Sequence, residues 1–227
     1  MTIRRFLGII SGHFPELFAL NLLMVLSLLP VTAIIIVFIE TSTAAAAFLA
    51  GPACFIVGAV CPSVITVLTT FVDGHVVYLW KDMLASFKTG WLRGGVTGCI
   101  AGWSAVSAIL IINLSTGLQF WGVLFSLWFC YIAVGLYTSL YYQYARINAP
   151  LKFQLRNSLM LPFACGIRGI AAVFLETVFV FTFPLPVLLP VWLLGIPILY
   201  QLLIAALFWP PMRQLYNGGT PAPGSSD

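Results

Sequence analysis

Residues Leu17-Phe-Ala-Leu-Asn-Leu-Leu-Met-Val-Leu-Ser-Leu-Leu-Pro-Val-Thr-Ala-Ile-Ile-Ile-Val-Phe-Ile39 form a run of 23 residues with no charge. An α-helix rises ~1.5 Å per residue, so about 20 apolar residues cross the ~30 Å hydrocarbon core of a bilayer. This run is long enough to span. Arg4 and Arg5 precede it, as in a secretory signal peptide. The run is too long for the apolar core of such a peptide, and no small-residue cleavage pattern follows promptly. It is expected to remain as a first membrane span.

The rest of the chain repeats the theme. Of 227 residues, 61% are hydrophobic and 7% charged, and the mean hydropathy is +1.07. A soluble domain usually carries about 25% charged residues. This composition cannot cover a water-facing surface, which excludes a soluble enzyme, an extended disordered chain, a disulfide scaffold and a nucleic-acid binder. A second apolar stretch runs from about Ala44 to Val72, interrupted at Gly51-Pro52 and Cys61-Pro62, where a kink or a broken element is expected. A third is Gly95 to Ile112 and a fourth Leu118 to Tyr141. A fifth starts between Leu159 and Ile170 and ends at Phe183, before Pro184 and Pro186. A sixth is about Leu188 to Trp209, with Pro197 inside it. The expected fold class is all-α, a polytopic transmembrane bundle of about six spans. It forms a single domain over residues 1–216, followed by a polar, disordered tail over 217–227.

The ten basic residues are not spread evenly. Arg4 and Arg5 precede the first span; Lys81, Lys88 and Arg93 lie between the second and third. Arg146, Lys152, Arg156 and Arg168 lie between the fourth and fifth, and Arg213 follows the sixth. The connections after the first, third and fifth spans hold none. Basic loops stay in the cytoplasm, so both termini and the two long loops are expected there.

Each long loop carries an amphipathic pattern. Trp80, Leu84, Phe87 and Trp91 recur at helical spacing, with Lys81, Ser86 and Lys88 off that stripe. Leu151, Leu155, Leu159 and Phe163 do the same in the second loop. Both predict helices lying on the cytoplasmic membrane surface or packed on the bundle. The unit of span, surface helix and span thus occurs twice.

The stretch His75-Val-Val-Tyr-Leu-Trp-Lys-Asp82, followed by Phe87-Lys88 and Trp91, resembles the YesL-like family of small bacterial polytopic membrane proteins. Asn21-Leu-Leu, Ser27, Leu29-Pro30 and Thr32 are similar to that family's first span, and Pro62-Ser63 to the opening of its second. Pro197 and Leu199-Tyr200 match loosely. Pro30 and Pro62 stand 32 residues apart, whereas the family joins these positions by a few residues. The resemblance implies a place in the bacterial plasma membrane and an auxiliary role beside a carbohydrate ABC importer. It implies no catalytic residue.

Enzyme motifs give no competing reading. The chain has no P-loop and no HExxH, and its two His (His13 and His75) cannot build a His-rich metal site. Gly102-Trp-Ser-Ala105 resembles an intramembrane serine nucleophile, but no His follows to serve as base. Ser104 and Ser107 are better read as small residues that let helices approach. The six carboxylates are scattered, and the five Cys read as free thiols in apolar runs. The cytoplasmic Glu-Ala-Ala…Gly loop of importer permeases does not occur. No catalytic group, cofactor or metal is expected, nor a nucleic-acid partner.

Two functional features remain. Trp80, Leu84, Phe87 and Trp91 suit an interfacial aromatic belt and, equally, a docking surface for a partner such as an importer permease or its ATPase. Glu176 sits inside the fifth span, eight residues beyond Arg168. A carboxylate at that depth is costly and marks an ion site, a partner contact or a hydrogen-bonded structural group. The spacing puts Arg168 and Glu176 on one helical face, about 12 Å apart, too far to pair. The leading expectation is a non-catalytic auxiliary subunit of a carbohydrate importer. The alternative is a stand-alone small-solute transporter or channel with Glu176 near its pathway; a third is an assembly scaffold. The low polar content of the spans favours the first, because a sugar pathway needs many hydrogen-bonding groups.

Overall fold

A computed structural model of the protein describes residues 3–41, 43–114, 119–147, 149–182 and 192–216. The expected starts of the fourth and sixth spans at Leu118 and Leu188, the Pro-rich turn at 183–190 and the tail at 217–227 lie outside the described residues. Within them the chain forms helices and no strand: α1 (Ile3–Gly12), α2 (Phe14–Thr41), α3 (Ala44–Asp73), α4 (Leu79–Leu114), α5 (Gln119–Arg146), α6 (Leu151–Ala164), α7 (Gly166–Thr182) and α8 (Ile196–Tyr216). Three segments are long and apolar enough to cross a membrane: Phe14–Phe38, Ala45–Asp73 and Ile196–Tyr216. The pair α6 and α7, bent by 106° at its break, makes a fourth if taken as one broken span.

The outside of these helices is apolar. On α2, Phe14, Phe18, Leu22, Leu26 and Leu29 are exposed in successive turns, while Leu17, Leu20, Asn21 and Met24 are buried. An apolar stripe this long is compatible with a lipid-facing surface. The inside holds the polar groups: Asn21, Ser63, Thr69, Ser139, Gln143, Gln154 and Ser158 are nearly inaccessible. Asn21 donates to the Trp192 carbonyl at 3.1 Å and accepts from the Ile198 N–H at 3.3 Å, which fastens α2 to the start of α8. The apolar core around them is supplied chiefly by α3 and α8, joined by Leu17, Leu20 and Met24 of α2 and Tyr142 of α5, with Leu68, Phe71, Leu202, Phe208 and Met212 at its centre.

Two expectations change here. The second apolar stretch contains both proline pairs, and of the expected kink or break the break does not occur: α3 runs as one helix from Ala44 to Asp73. A proline lacks the N–H that would bind the carbonyl four residues back. At Pro52 that carbonyl belongs to Phe48, and the indole N–H of Trp103 on α4 donates to it at 3.1 Å. The ring of Trp103 covers Gly51, where a Cβ would overlap it. At Pro62 the freed carbonyl is that of Gly58, and it faces Gly94 so closely that a Cβ there would clash. The helix continues because its neighbour occupies both gaps.

The second change concerns the first loop. The spacing predicts a separate surface helix for the stripe from Trp80 to Trp91, but the stripe lies on the same 36-residue helix as the third apolar stretch. Gly94, Gly98 and Gly102 of α4 lie against the carbonyls of Gly58, Cys54 and Ala50 on α3. Small residues every fourth position bring two backbones together, a known driver of helix association in membranes. The glycines that would weaken an isolated helix are held by this contact, so nothing ends α4 at residue 94.

The chain ahead of the first span also forms a helix of its own. In α1, Ile9 is buried while Phe6 and Ile10 pack on the core. Arg5 donates to the Val72 carbonyl at 3.0 Å, which ties α1 to the last turn of α3. In α6, the expected stripe of Leu151, Leu155, Leu159 and Phe163 is exposed, and the buried side carries Gln154 and Ser158. Lys152 and Arg156 are exposed beside that stripe, and Leu161 and Pro162 are buried together with Gln154 and Ser158. Gly166, at φ +64°, supplies the left-handed residue at which α6 turns into α7.

Candidate functional site

The first half of α4 is built from the register of its residues. Leu79 and Met83 pack on the core, and Ser86 bonds Thr66 of α3 hydroxyl to hydroxyl at 2.8 Å. Gly90 is buried beside Pro62. The opposite side therefore faces out: Trp80, Leu84 and Trp91 are 63, 51 and 42% exposed. Phe87 is half-buried, and Trp91 leans edge-on against Phe55 with ring centroids 6.1 Å apart. Asp82 accepts the Tyr78 N–H at 2.9 Å and so satisfies a donor at the helix start. His75 is exposed and plays no part in that cap.

Arg168 is exposed near the α6–α7 bend. Glu176 is half-buried on α7, where the Gln201 side-chain amide of α8 lies 3.1 and 2.9 Å from its two oxygens and donates to them. No ion pair joins Arg168 to Glu176; among the described residues both ion pairs converge on Asp73.

Asp73 is the group that sequence reasoning missed. It ends α3, with Gly74 in the left-handed region at φ 79° closing the helix. Its carboxylate pairs with Arg213 of α8 at 2.9 Å and with Arg146 of α5 at 3.5 Å, and accepts the Trp209 indole N–H at 2.9 Å. Arg146 also donates to Thr69 at 2.6 Å and Thr70 at 3.0 Å, and its guanidinium lies 5.2 Å from the centroid of the Trp209 ring. Burial lowers the Arg146 pKa, and the Asp73 carboxylate opposes that shift. One carboxylate thus joins the ends of three helices. The usable clue was the counter-charge: a single Asp at the end of the second apolar stretch, with basic residues expected at the same membrane face.

Beside this junction lies a buried polar network. The Gln143 side-chain amide donates to the Ser158 hydroxyl at 2.7 Å and the Gln154 carbonyl at 3.2 Å, and its oxygen accepts from the Tyr216 hydroxyl at 3.0 Å. It holds α6 and the end of α8 to α5. An open groove of about 450 Å³ lies between α3, α4 and α5 at the same end. Among the described residues no three His, Cys, Asp or Glu side chains gather as a metal site would require, and all five cysteines are free.

The chain matches no family model, no curated protein and no solved structure.

Proposed function

We propose that this protein is a non-catalytic, multi-pass protein of the bacterial plasma membrane. In this reading it has about six spans, with both termini and the basic loops in the cytoplasm, and it acts as an auxiliary subunit of a larger membrane assembly. The observation that carries the reading is the exposed Trp80–Leu84–Trp91 side of α4. A helix of 36 residues is about 54 Å long. Even tilted by about 40° it reaches about 41 Å along the membrane normal, against ~30 Å of hydrocarbon. The excess belongs to the end that carries Lys81, Asp82, Lys88 and Arg93. Large apolar side chains exposed beyond the lipid core call for a protein partner.

The resemblance to the YesL-like family supplies the partner class, the permease or ATPase subunits of a carbohydrate importer. A mild-detergent pull-down from native membranes tests both parts. Wild-type protein brings down a permease in fixed ratio. The double variant Trp80→Ala, Leu84→Ala inserts normally and loses at least about tenfold of that recovery, since buried aromatic anchors dominate interface energies. Undiminished recovery by the variant removes this surface from consideration, and recovery of the protein alone removes the auxiliary role.

A second reading draws on Glu176, whose carboxylate meets Gln201 within the apolar part of α7 and α8. It makes the protein a small-solute transporter or channel. Glu176→Gln then stays folded, because an amide still bonds Gln201, but lowers flux in liposomes. Equal flux in the two proteins rejects it.

A further inference from the structure

The outward side of α6 mixes two kinds of side chain. Lys152 and Arg156, one helical turn apart, are both exposed. Leu155 and Leu159 flank them on one side, Phe153 and Met160 on the other, and these four are 45–71% exposed. Beyond the bend Ile167 is 84% exposed, and the exposed Arg168 follows it. The inward side of the helix is already occupied. Gln154 donates to the Ile147 carbonyl at 2.9 Å, and Ser158 accepts from the Gln143 amide at 2.7 Å.

These bonds also set the level at which α6 lies. Gln143 stands three residues before the end of α5, and Tyr216, the last residue of α8, donates to it at 3.0 Å. α6 therefore packs at the ends of two helices, the same end of the bundle as the Asp73 junction. The 106° bend sets it close to perpendicular to α7, so a spanning α7 lays α6 nearly flat at the membrane surface. Water does not suit the four apolar side chains, and hydrocarbon does not suit Lys152 and Arg156 between them. The headgroup layer accepts both, with acyl chains below and phosphates beside the basic groups.

The charges on α6 and on the helices packed against it fix the sign of the ligand. α5, α7 and α8 pack on α6. They bring Arg146, Arg168 and Arg213, and one carboxylate, Glu176. Asp73 of α3 pairs with Arg146 and Arg213, and Glu176 accepts from Gln201. Lys152, Arg156 and Arg168 form no ion pair among the described residues. The chain carries no carboxylate at all from residue 83 to residue 175. Five basic residues thus stand against two carboxylates, and both carboxylates are engaged. From these observations we infer that α6 and its bend bind the phosphates of anionic phospholipids. Lys152, Arg156 and Arg168 supply the donors, and the flanking apolar side chains hold the helix in the acyl boundary. A lipid with net negative charge, such as phosphatidylglycerol, is selected over a zwitterionic one, whose ammonium meets the same three cations with no carboxylate to receive it. The inference rests on the membrane placement of α6 and α7 and is independent of the partner proposed for α4.

The test is lipid retention by the full chain, captured in detergent and equilibrated with equimolar phosphatidylglycerol and phosphatidylcholine of the same acyl chains. The bound lipid is counted by mass spectrometry. One basic residue near an anionic lipid is worth about fivefold in affinity, so the wild-type protein should retain phosphatidylglycerol at least about tenfold over phosphatidylcholine. The preference should fall as salt is raised. The triple variant Lys152→Gln, Arg156→Gln, Arg168→Gln should lower it at least about fivefold. All three side chains are exposed, so the bundle keeps its contacts. Lys152→Arg, Arg156→Lys, Arg168→Lys keeps the charge and should keep the preference. Lys81→Gln, Lys88→Gln, Arg93→Gln removes equal charge from α4 and should leave the preference nearly unchanged. Equal retention of the two lipids by the wild type overturns the inference. So does an undiminished preference in the α6 triple variant, or an equal loss in the α4 triple variant. Whether the protein leaves native membranes only with detergent reports the membrane placement separately from the lipid preference.

Discussion

The seam between α3 and α4 and the junction around Asp73 hold the same helix by opposite means. Along the seam the contact is backbone against backbone, with Gly94, Gly98 and Gly102 under the carbonyls of Gly58, Cys54 and Ala50. There is almost nothing to titrate or hydrate. At the end of α3 the contact is charge and hydrogen bond, with Asp73 joining Arg146, Arg213 and Trp209. The difference follows from the solvent. Lipid is as apolar as a leucine side chain, so helices within it associate through close packing. Near the membrane surface water competes, and a partly exposed ion pair is worth little unless several donors converge on it. Asp73 meets that condition with three donor side chains.

The contrast can be broken first at the seam. Gly98→Leu puts a branched side chain where even a Cβ overlaps the Cys54 carbonyl. The helices must part, at a cost of about 3 kcal/mol or more. The expected result is loss of monodisperse protein on size exclusion, with Gly8→Leu as a control at a site where a Cβ meets nothing. A protein that tolerates Gly98→Leu would show that the seam does not hold the pair. Asp73→Asn should have the next largest effect. It leaves Arg146 and Arg213 without a counter-charge at part-buried positions, costing about 1–3 kcal/mol. Thermal unfolding in detergent measures it, and adding Arg146→Gln should cost less than the sum of the single changes. The smallest effect is expected at the edge of the seam. Trp103→Phe keeps the ring over Gly51 but removes the donor to the Phe48 carbonyl, a loss of about 1 kcal/mol. The same unfolding assay, run on Trp103→Phe in a Pro52→Ala background, should show the loss largely gone, because an alanine at that position supplies the missing N–H. A full additive loss in that background would contradict the carbonyl's role.

Much of this architecture was legible in the chain. The run from Leu17 to Ile39 lies within α2, and the stretch from Ala44 to Val72 within α3. The stripes at 80–91 and 151–163 have the period of the helices that carry them. What could not be read was which way a helix boundary falls when a partner intervenes. Gly51-Pro52 and Cys61-Pro62 look like breaks because local rules count the missing N–H and ignore a tryptophan 51 positions downstream of Pro52. The candidate site was legible in part. Trp80, Leu84 and Trp91 are exposed, as a docking stripe requires, while Phe87 is turned half inward. Glu176 stands out by hydropathy alone, but its partner Gln201 is 25 residues away and carries no mark in the sequence. Asp73 escaped because charge was used to orient the chain, and a pairing between residues 73, 146 and 213 depends on tertiary structure.

The seating of Trp103 on Gly51-Pro52 has a consequence for descent. The proline frees a carbonyl, the glycine clears the space above it, and the indole fills both. Each of the three residues is a poor choice without the other two. A lineage that loses the proline regains an amide donor and no longer needs the tryptophan; one that loses the tryptophan does better without the proline. Residues 51, 52 and 103 should therefore be inherited as a set, present together or replaced together across descendants of this sequence.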